Sequence, residues 1–114
     1  MKKHLVFFVL ILQASFSALA SDFVNCDIAE VVVSGDQNGH VGLICPLPIV
    51  GAPACATAGG FVGFDKSTTE GKHFLALFSM ALAMNLKVEG MVNRSICSPY
   101  QNNVALLTSL RVRH

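Results

Sequence analysis

Four cysteines limit what this chain can fold into. An even number of cysteines in a small secreted chain is typical of a disulfide framework, whereas structural zinc sites need much tighter spacings. Here 18, 9 and 41 residues separate successive cysteines, and the chain has no C-x-x-C and no H-x-x-x-H motif. We therefore expect no metal site and two disulfides formed by Cys26, Cys45, Cys55 and Cys97.

The first twenty residues predict secretion. Lys2 and Lys3 form a positive start, residues 5–12 are an unbroken apolar run, and an A-x-A motif ends at Ala20. Together these are the pattern of a bacterial signal peptide, which is too short to span a membrane. We expect cleavage after Ala20, a mature protein of residues 21–114 with no transmembrane segment, and a secreted or periplasmic location.

The expected mature chain is close to neutral. Without Lys2 and Lys3, six basic side chains remain against seven acidic ones, a formal net charge of −1. Such a surface gives no electrostatic attraction for nucleic acid or for an anionic membrane. An apolar surface with few charges is instead often in contact with another chain. We therefore expect contact with another protein chain and no nucleic acid.

Hydrophobic periodicity predicts five strands and one helix. Runs of β-branched residues that end in glycine or polar turns indicate strands, and a change to helical spacing indicates a helix over residues 69–84. A turn at residues 34–39 and a proline-rich loop at 46–54 separate the first three strands. Gly59 and Gly60 mark a bulge or bend in the third. The predicted strands cover residues 23–35, 40–45, 55–65, 86–93 and 104–114.

The predicted helix carries its own boundary signals and two distinct faces. Ser67 stands three residues before Glu70, the pattern of a capping box, and Asn85 stands at the expected C-terminal stop. The face expected to cover the sheet carries Phe74, Leu77, Phe78 and Ala81. The opposite face, whose mostly small residues suit close contact between copies in a homo-oligomer, carries Ala76, Ser79, Met80 and Ala83.

Three strands, one helix and two strands is the element order of an OB-fold, a five-stranded barrel with its helix between strands three and four. We therefore predict a mainly β, OB-fold-like barrel of the order β-β-β-α-β-β, forming one domain over residues 21–114. In this barrel the start of strand one lies beside the end of strand four. That geometry predicts the disulfides Cys26–Cys97 and Cys45–Cys55, the second closing the proline-rich loop.

The predicted ligand site lies in the loops after strands one and four, which OB-folds commonly use for binding. Tyr100 is the one tyrosine of a chain without tryptophan, and its ring could contact the apolar side of a sugar. Amides and hydroxyls around it suit sugar hydroxyl groups. The alternative is that these residues form ordinary exposed turns. The candidate residues are Asp36, Gln37, Asn38, Ser98, Tyr100, Gln101, Asn102 and Asn103.

The sequence carries no catalytic signature. It has no G-x-S-x-G elbow, no H-E-x-x-H motif and no P-loop. Asp27 with Glu30, or Asp65 with Glu70, could form carboxylate pairs, but single acids near turns and helix starts are ordinary. Oxidised cysteines offer no nucleophile. We expect no catalytic residue, no cofactor and no enzymatic activity.

The chain resembles small secreted bacterial proteins related to the B subunits of subtilase-cytotoxin and pertussis-like AB5 toxins. The resemblance rests on the signal peptide, on "CATAGGFVGFDKS" (55–67) before the amphipathic helix, and on "KVEGMV" (87–92) before a cysteine. It implies a pentameric ring of OB-folds that binds a host or cell-surface glycan. The alternative function is a periplasmic inhibitor or immunity protein that binds another protein.

Overall fold

The computed structural model describes residues 21–113 and contains five strands and one helix in the predicted order. The predicted signal peptide and its cleavage site lie outside the described residues. The elements are β1 (Phe23–Ser34), β2 (Asn38–Ile44), β3 (Phe61–Asp65), α1 (Thr69–Met84), β4 (Lys87–Ser98) and β5 (Gln101–Arg113).

The five strands close into a ring in the order β1-β2-β3-β5-β4. All neighbouring strands are antiparallel except β3 and β5, which run parallel with Val62 opposite Ala105. The predicted mainly β fold with one helix is therefore confirmed. Apolar side chains from every strand fill the ring, among them Phe23, Val41, Phe64, Val88, Val92 and Leu107.

A hairpin joins β1 to β2, as the turn at residues 34–39 predicted. Gly35 has φ +63°, a conformation that glycine adopts without a steric penalty. The ladder runs from Ser34 opposite Asn38 to Asp27 opposite Ile44. This register places the start of β1 beside the end of β2.

The disulfides are Cys26–Cys45 and Cys55–Cys97, so the predicted pairing was wrong. The start of β1 does lie antiparallel to β4, but it pairs with the first residues of β4, where Cys26 is opposite Val88. Cys97 lies nine positions further along β4, beyond that contact. Cys26 instead follows the register of the β1–β2 ladder and meets Cys45 just after β2.

The third strand is shorter than predicted, because it begins at Phe61 and not at residue 55. Gly60 has φ +81°, and its carbonyl accepts a hydrogen bond of 2.7 Å from the Leu43 amide. The bend predicted at the glycine pair therefore forms the boundary of the strand. Residues 45–60 form one long connection, which we call the β2–β3 loop.

The helix α1 has the predicted bounds, but its N-cap is Thr68. The Thr68 hydroxyl accepts a 2.9 Å hydrogen bond from the Gly71 amide, the usual contact of an N-cap. Ser67, the predicted cap, instead donates its hydroxyl to the Asp65 carboxylate at 2.6 Å. Asn85 ends the helix in the left-handed conformation, as predicted.

One face of α1 covers the ring and the other is exposed. The Phe64 ring in β3 packs against those of Phe74 and Phe78, with centroids 5.8 and 6.0 Å apart. Leu77 is half-buried. The predicted outer residues are all exposed, and the contact between copies proposed for them stays a prediction: Ala76, Ser79, Met80 and Ala83.

Candidate functional site

The segment that sequence patterns assigned to a polar loop after β4 is mostly strand. β4 continues to Ser98 and β5 begins at Gln101, so only Pro99 and Tyr100 form the turn. Ser98 and Gln101 face each other across the hairpin. The polar residues that predicted a loop here lie mainly on the two strands of a hairpin. We call Ser98–Gln101 the hairpin tip.

The hairpin tip lies against the outer face of β2 and β3. Val41 is fully buried in the ring, so its neighbours in the alternating pattern of β2 point outward. Asn38 pairs with Asp65 and His40 pairs with Gly63 across the β2–β3 ladder. Directly opposed residues share one face of a sheet. These four positions therefore form one row on the outside of the ring.

Two contacts seat the tip on this row. The side-chain amide of Asn38 donates a 3.1 Å hydrogen bond to the side-chain oxygen of Gln101. Ser98 occupies the space left by Gly63, because a Cβ added to that glycine would lie 3.0 Å from the Ser98 Cβ. The glycine thus allows the tip to approach the strand closely. We call the joined set the polar seam: Asn38, His40, Asp65, Ser98, Tyr100 and Gln101.

Tyr100 and Asp65 form the electrostatic part of the polar seam. Hydrogen bonds from the Ser67 hydroxyl and amide lower the pKa of Asp65, and the Tyr100 hydroxyl contributes in the same direction. The negative charge of Asp65 in turn raises the pKa of Tyr100 above 10.0. At neutral pH Asp65 is therefore a carboxylate and Tyr100 a neutral phenol that can donate to it.

Unused hydrogen-bonding capacity is concentrated in the polar seam. Within residues 21–113, the buried side-chain polar atoms without a partner in the protein are Asn38 Oδ1, His40 Nδ1 and Ser98 Oγ. Ser98 is 1% exposed. A buried polar atom left unpaired costs about 1–3 kcal/mol, so native proteins leave few of them. All three belong to the polar seam, which therefore carries a local desolvation cost.

The polar seam gathers half of the predicted site residues, namely Asn38, Ser98, Tyr100 and Gln101. The remaining candidates are exposed and make no side-chain contact to the seam that the structure records: Asp36, Gln37, Asn102 and Asn103. Two of these accept hydrogen bonds from other loops through their backbone carbonyls. The Gln37 carbonyl accepts from the Lys66 amide at 2.8 Å, and the Asn103 carbonyl accepts from the Ala58 amide at 2.9 Å.

Sequence reasoning missed His40 and Asp65. His40 stands two positions after Asn38 in β2, so strand alternation alone places both on one face. Asp65 ends β3, directly opposite Asn38. The alternation was available in the sequence, whereas the pairing of Asn38 with Asp65 required the register of β2 on β3.

An apolar pocket of about 470 Å³ lies beside the polar seam, beneath the β2–β3 loop. Phe61 connects the two regions, because it lines the pocket and its ring centroid lies 5.9 Å from that of His40 in the seam. No sequence pattern predicted this pocket. Its lining consists of Leu43, Ile44, Cys45, Pro46, Leu47, Pro48, Ile49, Ala52, Ala56, Ala58, Gly59, Gly60, Phe61 and Ala105.

Several other charged groups of the ring are paired with each other. Asp22 accepts a 2.6 Å hydrogen bond from Arg94. Glu89 accepts from Arg111 and Arg113 at 3.0 and 2.8 Å. No three His, Cys, Asp or Glu side chains of residues 21–113 are grouped where they could hold a metal ion. The described part of the chain also has no helix long and apolar enough to cross a membrane.

Comparisons with known proteins do not assign this chain to a family. No family model, no curated protein and no solved structure matches it. The resemblance to AB5 toxin B subunits therefore stays a prediction.

Proposed function

We propose that the protein is a secreted, non-catalytic module with an OB-fold-like ring that binds a glycan at the polar seam. The observation that carries the proposal is the exposed part of the polar seam, in which Tyr100 is 40% exposed and lies beside the Asp65 carboxylate. Sugar hydroxyls both donate and accept hydrogen bonds, so one sugar could bond to the Asp65 carboxylate, the Tyr100 hydroxyl and a side-chain amide of the seam together.

The position of the polar seam supports this proposal. OB-folds bind oligosaccharides on the face of strands two and three, between the loops after strands one and four. Here Asn38 and His40 lie on β2, Asp65 ends β3, and Tyr100 lies in the turn after β4. The two disulfides are compatible with an extracellular or periplasmic protein.

The chemistry of the seam favours a neutral sugar over an acidic one. Tyr100 is 40% exposed, so part of its ring is free to contact the apolar side of a sugar. The lowered pKa of Asp65 keeps its carboxylate charged at neutral pH. A carboxylate accepts hydrogen bonds from neutral sugar hydroxyls and repels a second carboxylate.

A glycan array with the purified protein, followed by titration of each sugar retained, tests the proposal. Tyr100 is the one tyrosine and the chain has no tryptophan, so its fluorescence reports directly on the hairpin tip. Tyr100→Ala should weaken binding at least tenfold, which is about 1.4 kcal/mol. Asn38→Ala should do the same, and the matched change Asn102→Ala, at an exposed residue outside the seam, should not. If all three variants bind the sugar as tightly as the unmutated protein does, the hairpin tip takes no part in binding.

The alternative function is a periplasmic inhibitor or immunity protein, and exposed apolar side chains favour it. Ile44, Leu47 and Val50 are 61%, 68% and 58% exposed at one edge of the ring. Such a cluster suits a protein partner. A pull-down run beside the glycan array separates the two functions, since a protein partner should be retained by the Tyr100→Ala variant.

We further propose that the exposed face of α1 joins copies of the chain into a homo-oligomer, which the resemblance makes a pentamer. Ser79 and Ala83 are small and exposed there, so neighbouring copies could approach closely. Ser79→Arg or Ala83→Glu should then separate the assembly. A monomer of the unmutated protein at micromolar concentration, measured by light scattering, contradicts this arrangement.

A further inference from the structure

The apolar pocket has the construction of a preformed ligand site. Its volume of about 470 Å³ lies within the range of small-molecule sites. The β2–β3 loop that covers it is fixed covalently at two points, by Cys45 to β1 and by Cys55 to β4. A loop held in this way loses little conformational freedom when a ligand binds.

Backbone hydrogen bonds fix the loop further. The Val50 amide donates to the Asp22 carbonyl at 3.0 Å, and the Ala58 amide donates to the Asn103 carbonyl at 2.9 Å. Pro46 and Pro48 restrict the backbone between these anchors. The pocket is therefore held open by its covering loop at several points and does not depend on a ligand for its shape.

The lining determines the class of ligand. Every lining residue is Leu, Ile, Pro, Ala, Gly, Phe or a disulfide-bonded Cys, so no side chain there offers a charge or a strong hydrogen bond. A sugar, nucleotide or anion would find only backbone groups to replace its hydrogen bonds to water. Ile44 and Leu47 line the pocket and are also largely exposed, so the pocket opens to solvent.

We propose that the pocket binds one aliphatic chain of an amphiphile, whose polar head remains in solvent. The volume is about three times that of a 150 Å³ apolar cavity that holds one benzene molecule. Phe61 is the only aromatic residue among the lining residues, so the walls are mainly aliphatic and prolyl. Covering Ile44 and Leu47 with a chain removes apolar surface from water, which drives binding.

Isothermal titration with octanoate, decanoate and dodecanoate, and with the corresponding neutral alkanols, tests the proposal. The purified protein with both disulfides formed should bind about fourfold more tightly for each added methylene until the pocket is full. The same dependence in the acids and the alkanols assigns the binding to the chain. No binding at millimolar ligand, or an affinity independent of chain length, overturns the proposal.

A matched pair of variants assigns the binding to the pocket. Ala52 and Ala54 are both exposed residues of the β2–β3 loop, but only Ala52 lines the pocket. Ala52→Phe should fill part of the pocket and weaken dodecanoate binding at least tenfold, whereas Ala54→Phe should leave it unchanged. Equal losses in both variants, at unchanged melting temperature, overturn the assignment.

Glycan binding and chain binding can fail separately. Tyr100→Ala lies in the polar seam and should leave dodecanoate affinity as it is in the unmutated protein. Ala52→Phe should likewise leave any glycan affinity intact. If Tyr100→Ala loses dodecanoate binding as strongly as Ala52→Phe does, the aliphatic chain does not bind at a site separate from the polar seam.

Discussion

The β2–β3 loop and the hairpin tip are two connections that cover the outside of the same ring, and they are held there by opposite means. The loop is long and apolar, and disulfides fix it through Cys45 and Cys55. The tip has a two-residue turn and is seated by side-chain hydrogen bonds, including Asn38 to Gln101. Covalent anchoring lets the loop keep an open apolar pocket, whereas the tip depends on polar groups whose bonding a ligand can change.

The largest expected effect comes from releasing the loop. Cys55 is exposed and Cys97 half-buried, so replacing both with Ala removes little packing. For a sequence separation of 42 residues, loss of the bridge should lower the free energy of unfolding by about 4 kcal/mol. Urea denaturation measures this. A loss of under about 1 kcal/mol would mean that non-covalent contacts hold the loop in place, as they hold the tip.

The second expected effect comes from pushing the tip away from the strand. A Cβ at Gly63 would lie 3.0 Å from the Ser98 Cβ, so Gly63→Ala should displace the hairpin tip and lower the free energy of unfolding by about 1–2 kcal/mol. Tyr100 fluorescence should change with it. Dodecanoate affinity should not, because Gly63 does not line the apolar pocket. A loss of dodecanoate affinity together with the change in Tyr100 fluorescence would show that the loop and the tip are one structural unit.

The third expected effect is a gain in stability. The Ser98 hydroxyl is buried without a partner, so Ser98→Ala removes a desolvation cost and should raise the free energy of unfolding by up to about 1 kcal/mol. The exposed Ser95→Ala is a matched control that should leave the free energy of unfolding unchanged. Destabilisation by Ser98→Ala would mean that this hydroxyl is satisfied in the free protein.

The smallest expected effect is on the titration of the tip. The lowered pKa of Asp65 means that its stabilising contribution is present above 3.8 and is lost as the pH falls through the folded-state value. The raised pKa of Tyr100 means that its contribution is present below 10.0 and is lost as the pH rises through the folded-state value. The interaction therefore persists across the neutral range.

Ultraviolet absorbance of the single phenolate measures this directly, since no other tyrosine or tryptophan interferes. The midpoint for Tyr100 should lie above 10.0 and should move back towards 10.0 in Asp65→Asn. Asp36→Asn, at an exposed residue of the β1–β2 turn, should leave it unchanged. An unchanged midpoint in Asp65→Asn would show that the Asp65 carboxylate does not affect the ionisation of Tyr100.

Local periodicity predicted the elements well, because a strand or helix with one buried face shows its period in the sequence. The helix bounds and the Asn85 stop followed from it. The N-cap was displaced by one residue, because Ser67 and Thr68 can both cap a helix and the bond from Ser67 to Asp65 decides between them. That bond depends on the placement of β3, which no local pattern contains.

Contacts between distant segments were harder to predict. The pairing of Cys26 with Cys45 follows from the register of β1 on β2, which an irregularity between Ile28 and Glu30 shifts by one residue. Cys26 does not meet Cys97 because β1 pairs with the first residues of β4. Four of the six residues of the polar seam were predicted from residue types, whereas Asp65 became part of it only through its pairing with Asn38. The apolar pocket arises from where the β2–β3 loop is anchored, and its residues have no periodicity of their own.

The disulfide pairing also determines how the molecule would come apart. Cys26 and Cys45 both precede residues 46–54, and Cys55 and Cys97 both follow them. One proteolytic cut in this segment would therefore leave two fragments with no covalent bond between them, one with β1 and β2 and the other with the remaining elements. The first fragment would stay in place only through strand pairing and the core. Each of the two parts is thus closed by its own disulfide, and residues 46–54 are their only covalent connection.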